Sequence, residues 1–134
     1  MKMKASFPQN FVWGAATSSY QIEGGVTEGG RGASIWDTFS HTPGKTHRGE
    51  TGDVACDSFH RYREDVALLK QMNLTAYRFS VAGPPVDPFG DGHWHAAGLA
   101  YYAAPVDALR SAAIEPDITL YHWARTPATE QNRR

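Results

Sequence analysis

Apolar residues fall into five segments separated by polar, glycine-rich stretches. Three short segments, rich in aromatic and β-branched residues, predict strands that begin at residue 11 and span residues 75–81 and 117–123. Two longer segments repeat apolar residues at helical spacing. The first stripe contains Ala55, Phe59, Tyr62, Val66 and Leu69, and the second contains Leu99, Tyr102, Val106, Leu109 and Ala113.

Local signals place the boundaries of these elements. Asp53 is the predicted N-cap of the first helix, and Asn73 is its predicted stop. Pro105 lies inside the second helical pattern, where proline costs about 3 kcal/mol or kinks the helix. A long polar stretch at 24–52 contains an apolar island at 35–39, which predicts a short helical turn. Residues 124–134 show no period and are expected to form a loose, irregular tail.

The order strand, helix, strand, helix, strand predicts an α/β fold with parallel strands and right-handed crossovers. Both a barrel and an open doubly wound sheet fit this order. In either architecture, ligands bind at the carboxyl ends of the strands. Those positions carry Tyr20 and Gln21, Arg78, and His122 with Trp123, so we expect a site there. Arg78, in the middle of a strand, needs a carboxylate partner or a position outside the core.

Gln21, His122 and Trp123 together suit a sugar. Amide and imidazole groups pair with hydroxyls, and an indole ring packs against the C–H face of a pyranose. Glycosidic cleavage also needs two carboxylic groups, placed about 5 Å apart for retention of configuration. Glu23 lies near a strand end, but in a predicted turn, and these residues reveal no catalytic pair.

Composition argues against several other classes of function. Thirteen basic and fourteen acidic residues give a net charge of −1, which favours neither nucleic acid nor an anionic membrane as a partner. No apolar run reaches the roughly 18 residues of a membrane span. The single Cys56 has no disulfide partner within the chain, so we expect a reducing, cytoplasmic setting.

Cofactor and metal signals are weak. The glycine-rich stretch at 24–32 lacks both the ending of a phosphate-binding P-loop and the spacing of a dinucleotide turn, so no cofactor is predicted. His93 and His95 lie near Asp87 and Asp91, but in a turn-rich loop without a second cluster. We therefore predict no metal site.

Residues 11–24 read Phe-Val-Trp-Gly-Ala-Ala-Thr-Ser-Ser-Tyr-Gln-Ile-Glu-Gly, which resembles the N-terminal signature of family 1 glycoside hydrolases, the β-glucosidases and their relatives. Residues 34–39, 53–81 and 98–123 resemble later parts of that family in the same order. The resemblance implies a partial (β/α)₈ TIM barrel. Residues 1–134 would form a single incomplete domain, with the first three parallel strands and two intervening helices.

The resemblance also implies roles for individual residues. Gln21 and His122 match residues that bind glycone hydroxyls, Trp123 matches their aromatic neighbour, and Arg78 matches the arginine beside the catalytic nucleophile. Both catalytic glutamates of the retaining mechanism are expected beyond Arg134, so none is assigned in this chain and the chain alone is expected to be inactive. The segment at 82–85 departs from the family, with Ala-Gly-Pro-Pro in place of Ala-Trp-Pro-Arg.

Three functions remain open at this stage. The first is a β-glucosidase-type hydrolase of carbohydrate metabolism, acting on a β-glycoside or oligosaccharide. The second is a non-catalytic partial barrel that binds sugars, or that associates with itself through exposed strand edges. The third is the N-terminal part of a phospho-β-glycosidase.

Overall fold

The computed structural model describes residues 6–127, which form a three-stranded parallel sheet with helices between the strands. The elements in chain order are β1 (Gly14–Ala16), α1 (Ser19–Ile22), α2 (Ile35–His41), a 3₁₀ turn (His47–Gly49), α3 (Ser58–Gln71), β2 (Ala76–Ser80), α4 (Gly83–Val86), α5 (Ala96–Ser111) and β3 (Glu115–Thr119). The predicted alternation of strands and long helices is confirmed.

The sheet order is β1, β2, β3, with α3 and α5 as the crossovers. Both strand pairs are parallel, and Tyr77 aligns with Ala15 on one side and Pro116 on the other. Pro116 cannot donate a main-chain hydrogen bond, but β3 is an edge strand within residues 6–127, where proline is tolerated.

The core lies on one face of β2. Tyr77 and Phe79 are buried there against α3 and α5, whereas Arg78 between them points to the opposite, exposed face. The helices contribute Val66, Leu69, Tyr102 and Leu109 to this cluster, and Ile114 completes it before β3. The predicted helical stripes therefore face the core at their central positions.

The first long helix begins later than predicted. It starts at Ser58 after Asp57, because Ala55 and Asp57 adopt left-handed conformations with φ of 48° and 55°, which interrupt a helix. The prediction of Asp53 as N-cap is therefore wrong. The stop at Asn73 is correct, since the helix ends at Gln71 and Asn73 has a φ of 55°.

The strands are shorter than predicted. β1 has three residues, and the polar segment after it forms α1 rather than a strand end. β3 ends at Thr119, so His122 and Trp123 lie in the bend that follows it. The sequence predicts no helix at residues 83–86, where α4 forms. Its two prolines occupy the first turn, where a missing N–H has no intrahelical partner to lose.

The segment after β3 is packed for part of its length. Ala124 and Thr126 are buried, Gly83 N donates to Ala124 O at 3.0 Å, and Ile35 N donates to Arg125 O at 2.9 Å. The expectation of a loose segment is therefore wrong for residues 124–126, and residues 128–134 lie outside the described part of the chain. Between residues 6 and 127, no helix is long and apolar enough to cross a membrane.

Candidate functional site

The helix α1 begins at the carboxyl end of the sheet and is anchored to β2. Thr17 N donates to Arg78 O at 2.9 Å, and Ser19 N donates to Ser80 Oγ at 2.8 Å in a buried position. These bonds fix the single turn that carries Tyr20 and exposes Gln21. Gln21 therefore projects from a short helix at the strand end, rather than from the strand itself.

Tyr20 connects α1 to the long polar stretch. Its Oη donates to Ser40 Oγ at 2.8 Å and accepts from Gly52 N at 3.2 Å. A Cβ at position 52 would lie 2.7 Å from the Tyr20 ring, so this close approach requires glycine. Within residues 24–52, the chain is thus held beside α1 by specific contacts.

The helix α2 supplies an aromatic surface next to Tyr20. Its start is a capping box, in which Asp37 N donates to Ser34 Oγ at 3.1 Å and Ser34 N donates to Asp37 Oδ2 at 2.6 Å. Arg31 Nη2 donates to the same carboxylate at 2.8 Å, and both side chains are about nine-tenths buried. These buried contacts of Asp37 therefore fix the start of α2. Trp36 and Phe39 on the same helix are exposed, with ring centroids 5.9 Å apart.

A cleft of about 500 Å³ lies between α1, α2 and the bend after β3. Gln21, His122 and Trp123, the three residues that the sequence assigns to sugar binding, line it together. The other lining residues are Ser18, Tyr20, Trp36, Phe39, Ser40, Thr46, Glu50, Thr51, Gly52 and Ala55. This cleft combines amide, imidazole and hydroxyl groups with several aromatic rings, which are the groups that bind a sugar ring.

Trp123 stands at the exposed margin of the cleft. Its side chain is 64% exposed, and its backbone φ of 63° lies in the left-handed region, which residues other than glycine rarely adopt. Tyr121 lies beside it, with ring centroids 5.8 Å apart. The sharp turn places an open indole face next to the polar side chains of the cleft.

Arg78 does not line this cleft. It is exposed on the sheet face opposite the core, aligned with Ala16 on one side and Asp117 on the other. Within residues 6–127, its guanidinium makes no hydrogen bond or ion pair. The sequence predicted that Arg78 has either a carboxylate partner or a position outside the core. In the structure it lies outside the core. Its role beside a nucleophile stays a prediction.

Glu23, which the sequence places in a predicted turn near a strand end, is a positioning residue of this site. It is buried rather than in an open turn, and Tyr102 Oη donates to its Oε1 at 2.8 Å. Ala82 N in turn donates to Tyr102 Oη at 2.9 Å. Desolvation raises the pKa of Glu23 to about 7, against the opposing effects of the Tyr102 hydrogen bond and the Arg31 charge.

This network ties the C-terminal end of α1 to α5 and to the segment after β2. It therefore positions the turn that carries Gln21. The sequence does contain a signal, because a carboxylate next to an apolar run needs a partner. That partner lies 79 residues away in the sequence, so local patterns do not identify it.

The loop with aspartates and histidines forms no metal centre. The Asp87 carboxylate accepts hydrogen bonds from the main-chain N–H groups of Gly90, Asp91 and Gly92, so it stabilises the loop itself. His93 Nδ1 lies 3.1 Å from the Asp91 carboxylate. Among the described residues, no group of three His, Cys, Asp or Glu side chains could hold a metal ion.

Strands, crossovers and cleft together define a parallel α/β protein with a polar, aromatic site at the carboxyl edge of its sheet. The family model "Glycosyl hydrolase family 1" matches residues 3–132. The chain therefore belongs to glycosyl hydrolase family 1. The resemblance found in the sequence is confirmed.

Curated relatives agree with this assignment. The chain is 53% identical over 118 residues to an aryl-phospho-β-D-glucosidase, BglC, of Bacillus subtilis, covering 88% of this chain and 25% of the relative. It is 50% identical over 120 residues to β-glucosidase A of Acetivibrio thermocellus, covering 90% and 27%. The chain thus spans about a quarter of the length of these relatives.

Solved structures show the same fold. An enzyme from Alicyclobacillus herbarius matches with a TM-score of 0.92 at 53% identity, over 98% of this chain and 30% of that one. A Thermotoga maritima β-glucosidase in complex with deoxynojirimycin matches with a TM-score of 0.91 at 45% identity, over 94% and 28%. The fold is therefore a portion of a family 1 barrel, as the resemblance implied.

Proposed function

We propose that this chain forms one wall of the innermost sugar site of a retaining β-glycosidase. The observation that carries the proposal is the cleft in which Gln21, His122 and Trp123 meet. These residues come from two separate segments, and a cleft with both hydroxyl-binding groups and open aromatic faces suits a pyranose ring. Family membership supports the same chemistry.

In this proposal, Gln21 and His122 bind glycone hydroxyls and Trp123 packs against the C–H face of the ring. Gln21 offers an acceptor oxygen and a donor amide, which match adjacent hydroxyls in a bidentate arrangement. The aromatic surface of Trp36 and Phe39 extends the cleft away from Gln21 and accommodates further parts of a glycoside. The ligand is thus a β-glycoside or oligosaccharide.

Catalysis requires groups that we do not assign to this chain. A retaining mechanism uses two carboxyl groups about 5 Å apart. Glu23 does not fit such a role, because it is buried and its carboxyl is bound by Tyr102. We propose that Arg78 faces the nucleophile of the complete barrel, since its charge lies on the open sheet face. The 134-residue chain alone is then expected not to hydrolyse an aryl β-glucoside.

A phosphorylated glycoside is the second candidate substrate, because the Bacillus subtilis relative is named an aryl-phospho-β-D-glucosidase. A bound phosphate needs cationic or N–H donors. The residues that line the cleft within the described chain include no lysine or arginine, but they include Glu50. The cleft is one wall of the site, so we propose that any cationic group for a phosphate comes from another part of the complete barrel.

A titration of the 134-residue chain with deoxynojirimycin tests the sugar site by ¹⁵N NMR. We expect shifts at the side-chain amide of Gln21 and the indole of Trp123. The Gln21→Ala variant should weaken binding by about tenfold, which corresponds to one lost hydrogen-bonding side chain. Gln71→Ala, an exposed glutamine at the end of α3, is the matched control and should bind like the parent chain.

Shifts confined to other surfaces, or equal affinity in the parent chain and Gln21→Ala, would refute the proposed site. A parallel titration with glucose 6-phosphate separates the two substrate classes. Tighter binding of the phosphorylated sugar than of glucose would favour the phospho-β-glycosidase alternative.

We also propose that the protein acts in carbohydrate metabolism in the cytoplasm. Cys56 is free and exposed, which suits a reducing compartment. Subcellular fractionation of the source cells tests the location, and recovery outside the cytoplasmic fraction would contradict it.

A further inference from the structure

The polar segment 42–52, here called the strap, forms part of the wall of the cleft. Thr46 and Thr51 line the cleft from this segment, together with the aromatic rings of α2. Gly44 and Gly49 have φ values of 77° and 73°, and a Cβ at either position would meet nothing within 4 Å. These two positions lie clear of the rest of the described chain, so the placement of the strap depends on how its two ends are held.

Two adjacent sets of contacts join the ends of the strap. Next to the cleft, Tyr20 Oη donates to Ser40 Oγ at 2.8 Å and accepts from Gly52 N at 3.2 Å. Beside these bonds, His41 Nε2 lies 3.1 Å from Asp53 Oδ2. The first set consists of hydroxyl and amide groups, whereas the second is a contact between an imidazole and a carboxylate. Only the second set therefore responds to pH in the neutral range.

The two partners of the His41 ring define its protonation state. Nδ1 lies 2.7 Å from Asp37 O, and Nε2 faces the Asp53 carboxylate. A carbonyl oxygen and an ionised carboxylate are both acceptors, so both ring nitrogens must donate, which requires the charged imidazolium. A neutral ring carries one N–H and satisfies one of the two partners. The hydrogen bond to Asp37 O, and after it the one to Asp53, accordingly raise the pKa of His41 above its usual value.

Among the described residues, His41 and Asp53 depend on each other. Asp53 Oδ1 is buried and makes no hydrogen bond there, so the carboxylate is held through its contact with His41. The carboxylate of Asp37 pairs with Arg31 instead, at 2.8 Å. The strap itself carries four charged or titratable side chains that do not pair with His41, namely Lys45, His47, Arg48 and Glu50. Loss of a proton from His41 therefore weakens one contact at the ends of the strap and leaves the Tyr20 bonds in place.

We propose that His41 and Asp53 form a proton-dependent clasp, which positions the strap and thereby sets how tightly the cleft binds the part of a glycoside beyond the innermost sugar. His41 is a positioning residue, since its side chain does not line the cleft. At low pH the imidazolium closes the clasp. As the pH rises through the pKa of His41, the proton passes to solvent and the strap loosens.

The expected effect on affinity is small because both side chains of the clasp are well exposed, His41 to 51% and Asp53 to 39%. An exposed ion pair of this kind changes a binding constant by about threefold. The clasp itself follows from the contacts of the strap, whereas its effect on a ligand rests on the proposed function. The test therefore has one measurement without ligand and one with it.

Methyl ¹³C relaxation of Thr46 and Thr51 in the 134-residue chain reports the mobility of the strap without ligand. In the parent chain, we expect this mobility to increase between about pH 5.5 and about pH 8.5. In His41→Gln, which stays neutral, it should be high at both pH values. Asp53→Asn removes the other charge of the clasp and should behave in the same way.

The second measurement compares the binding of glucose and of phenyl β-D-thioglucoside, which are both uncharged over this pH range. In the parent chain, we expect thioglucoside affinity to fall about threefold more than glucose affinity as the pH rises. In His41→Gln, the two affinities should change in parallel. His122 is unchanged in every variant, so the comparison removes its contribution.

His60→Gln is the matched control. His60 also lies between two carboxylates, those of Asp57 and Glu28, but both of these partners are outside the strap. This variant should keep the mobility change of the strap and the threefold difference between the two ligands. It thus separates the clasp from a general loss of stability.

Three results overturn the inference. They are methyl groups whose mobility does not change with pH in the parent chain, the same pH dependence of thioglucoside affinity in His41→Gln and the parent chain, and loss of that dependence in His60→Gln. A pH response of the methyl groups without binding of either ligand supports the clasp and contradicts the proposed function.

Discussion

Replacing Glu23 by glutamine tests the buried network that holds α1. Glu23 is 7% exposed, and desolvation raises the pKa of its carboxyl from 4.5 to about 7 in the folded chain. An unfolded chain ionises this group near pH 4.5. Between the two values, the folded state binds more protons than the unfolded state. The free energy of unfolding therefore falls as the pH rises through this window.

The size of the effect follows from the shift in pKa. Each pKa unit corresponds to roughly 1.4 kcal/mol, so a rise from 4.5 to about 7 corresponds to about 3 kcal/mol. This contribution is fully present below pH 4.5, decreases from there to about pH 7, and is lost above that value. A glutamine stays neutral and keeps an oxygen that accepts from Tyr102 Oη. Relative to the parent chain, Glu23→Gln should therefore gain about 3 kcal/mol of stability between pH 4.5 and pH 8.

Urea unfolding followed by tryptophan fluorescence at a series of pH values measures this difference. Carboxyl ¹³C NMR follows the titration of Glu23 directly, with an expected midpoint near 7. Glu115→Gln, which replaces an exposed carboxyl in β3, is the matched control and should show no such change across the window. A stability difference that is constant with pH, or a midpoint for Glu23 near 4.5, would refute the reasoning.

Three further changes test other parts of the fold. Gly24→Ala should destabilise the chain by more than about 2 kcal/mol, because position 24 has a φ of 68° and the new Cβ would clash with the main-chain oxygen of Val54. Thermal unfolding measures this loss of stability. Pro105→Ala restores a helical N–H and should stabilise α5 by up to about 3 kcal/mol in the same assay. The imidazole of His60 donates hydrogen bonds to the Asp57 and Glu28 carboxylates, and these bonds raise its pKa. Their stabilisation is therefore present at low pH and is lost as the pH rises through the raised pKa. His60→Gln should therefore lower stability in acidic urea titrations and have little effect at high pH.

Periodicity predicted the elements of this fold better than their boundaries. The stripe that contains Val66 and Leu69 identified α3 because both residues pack against the sheet. Its start was misplaced because Ala55 and Asp57 take left-handed conformations, which no helical pattern announces. Pro105 shows the opposite case, since the helix continues through a residue that normally interrupts one.

The lining of the candidate cleft was predictable where it comes from the strand ends. It was not predictable where it depends on contacts between residues that are distant in the sequence. Gln21 and His122 were found because parallel strands deliver their carboxyl ends to one edge. The surface formed by Trp36 was missed as part of the cleft, because it is brought there by the contacts of Tyr20 within the polar stretch. Such contacts join residues whose spacing in the sequence carries no regular pattern.

The two charged residues that stood out near the strands are accommodated in different ways. Glu23 is buried and accepts a hydrogen bond from Tyr102, so its stabilisation comes from groups within the described chain. Arg78 is exposed on the open sheet face and contacts no carboxylate between residues 6 and 127. The wall that we propose for sugar binding is therefore held by contacts within the described chain, whereas the charge that we propose for catalysis lies on the open face of the sheet. From this difference we expect sugar binding and hydrolysis to be separable. Arg78→Ala should leave deoxynojirimycin affinity in the 134-residue chain within about twofold of the parent value, whereas Gln21→Ala weakens it by about tenfold. An equal loss of affinity in the two variants would contradict this division of roles.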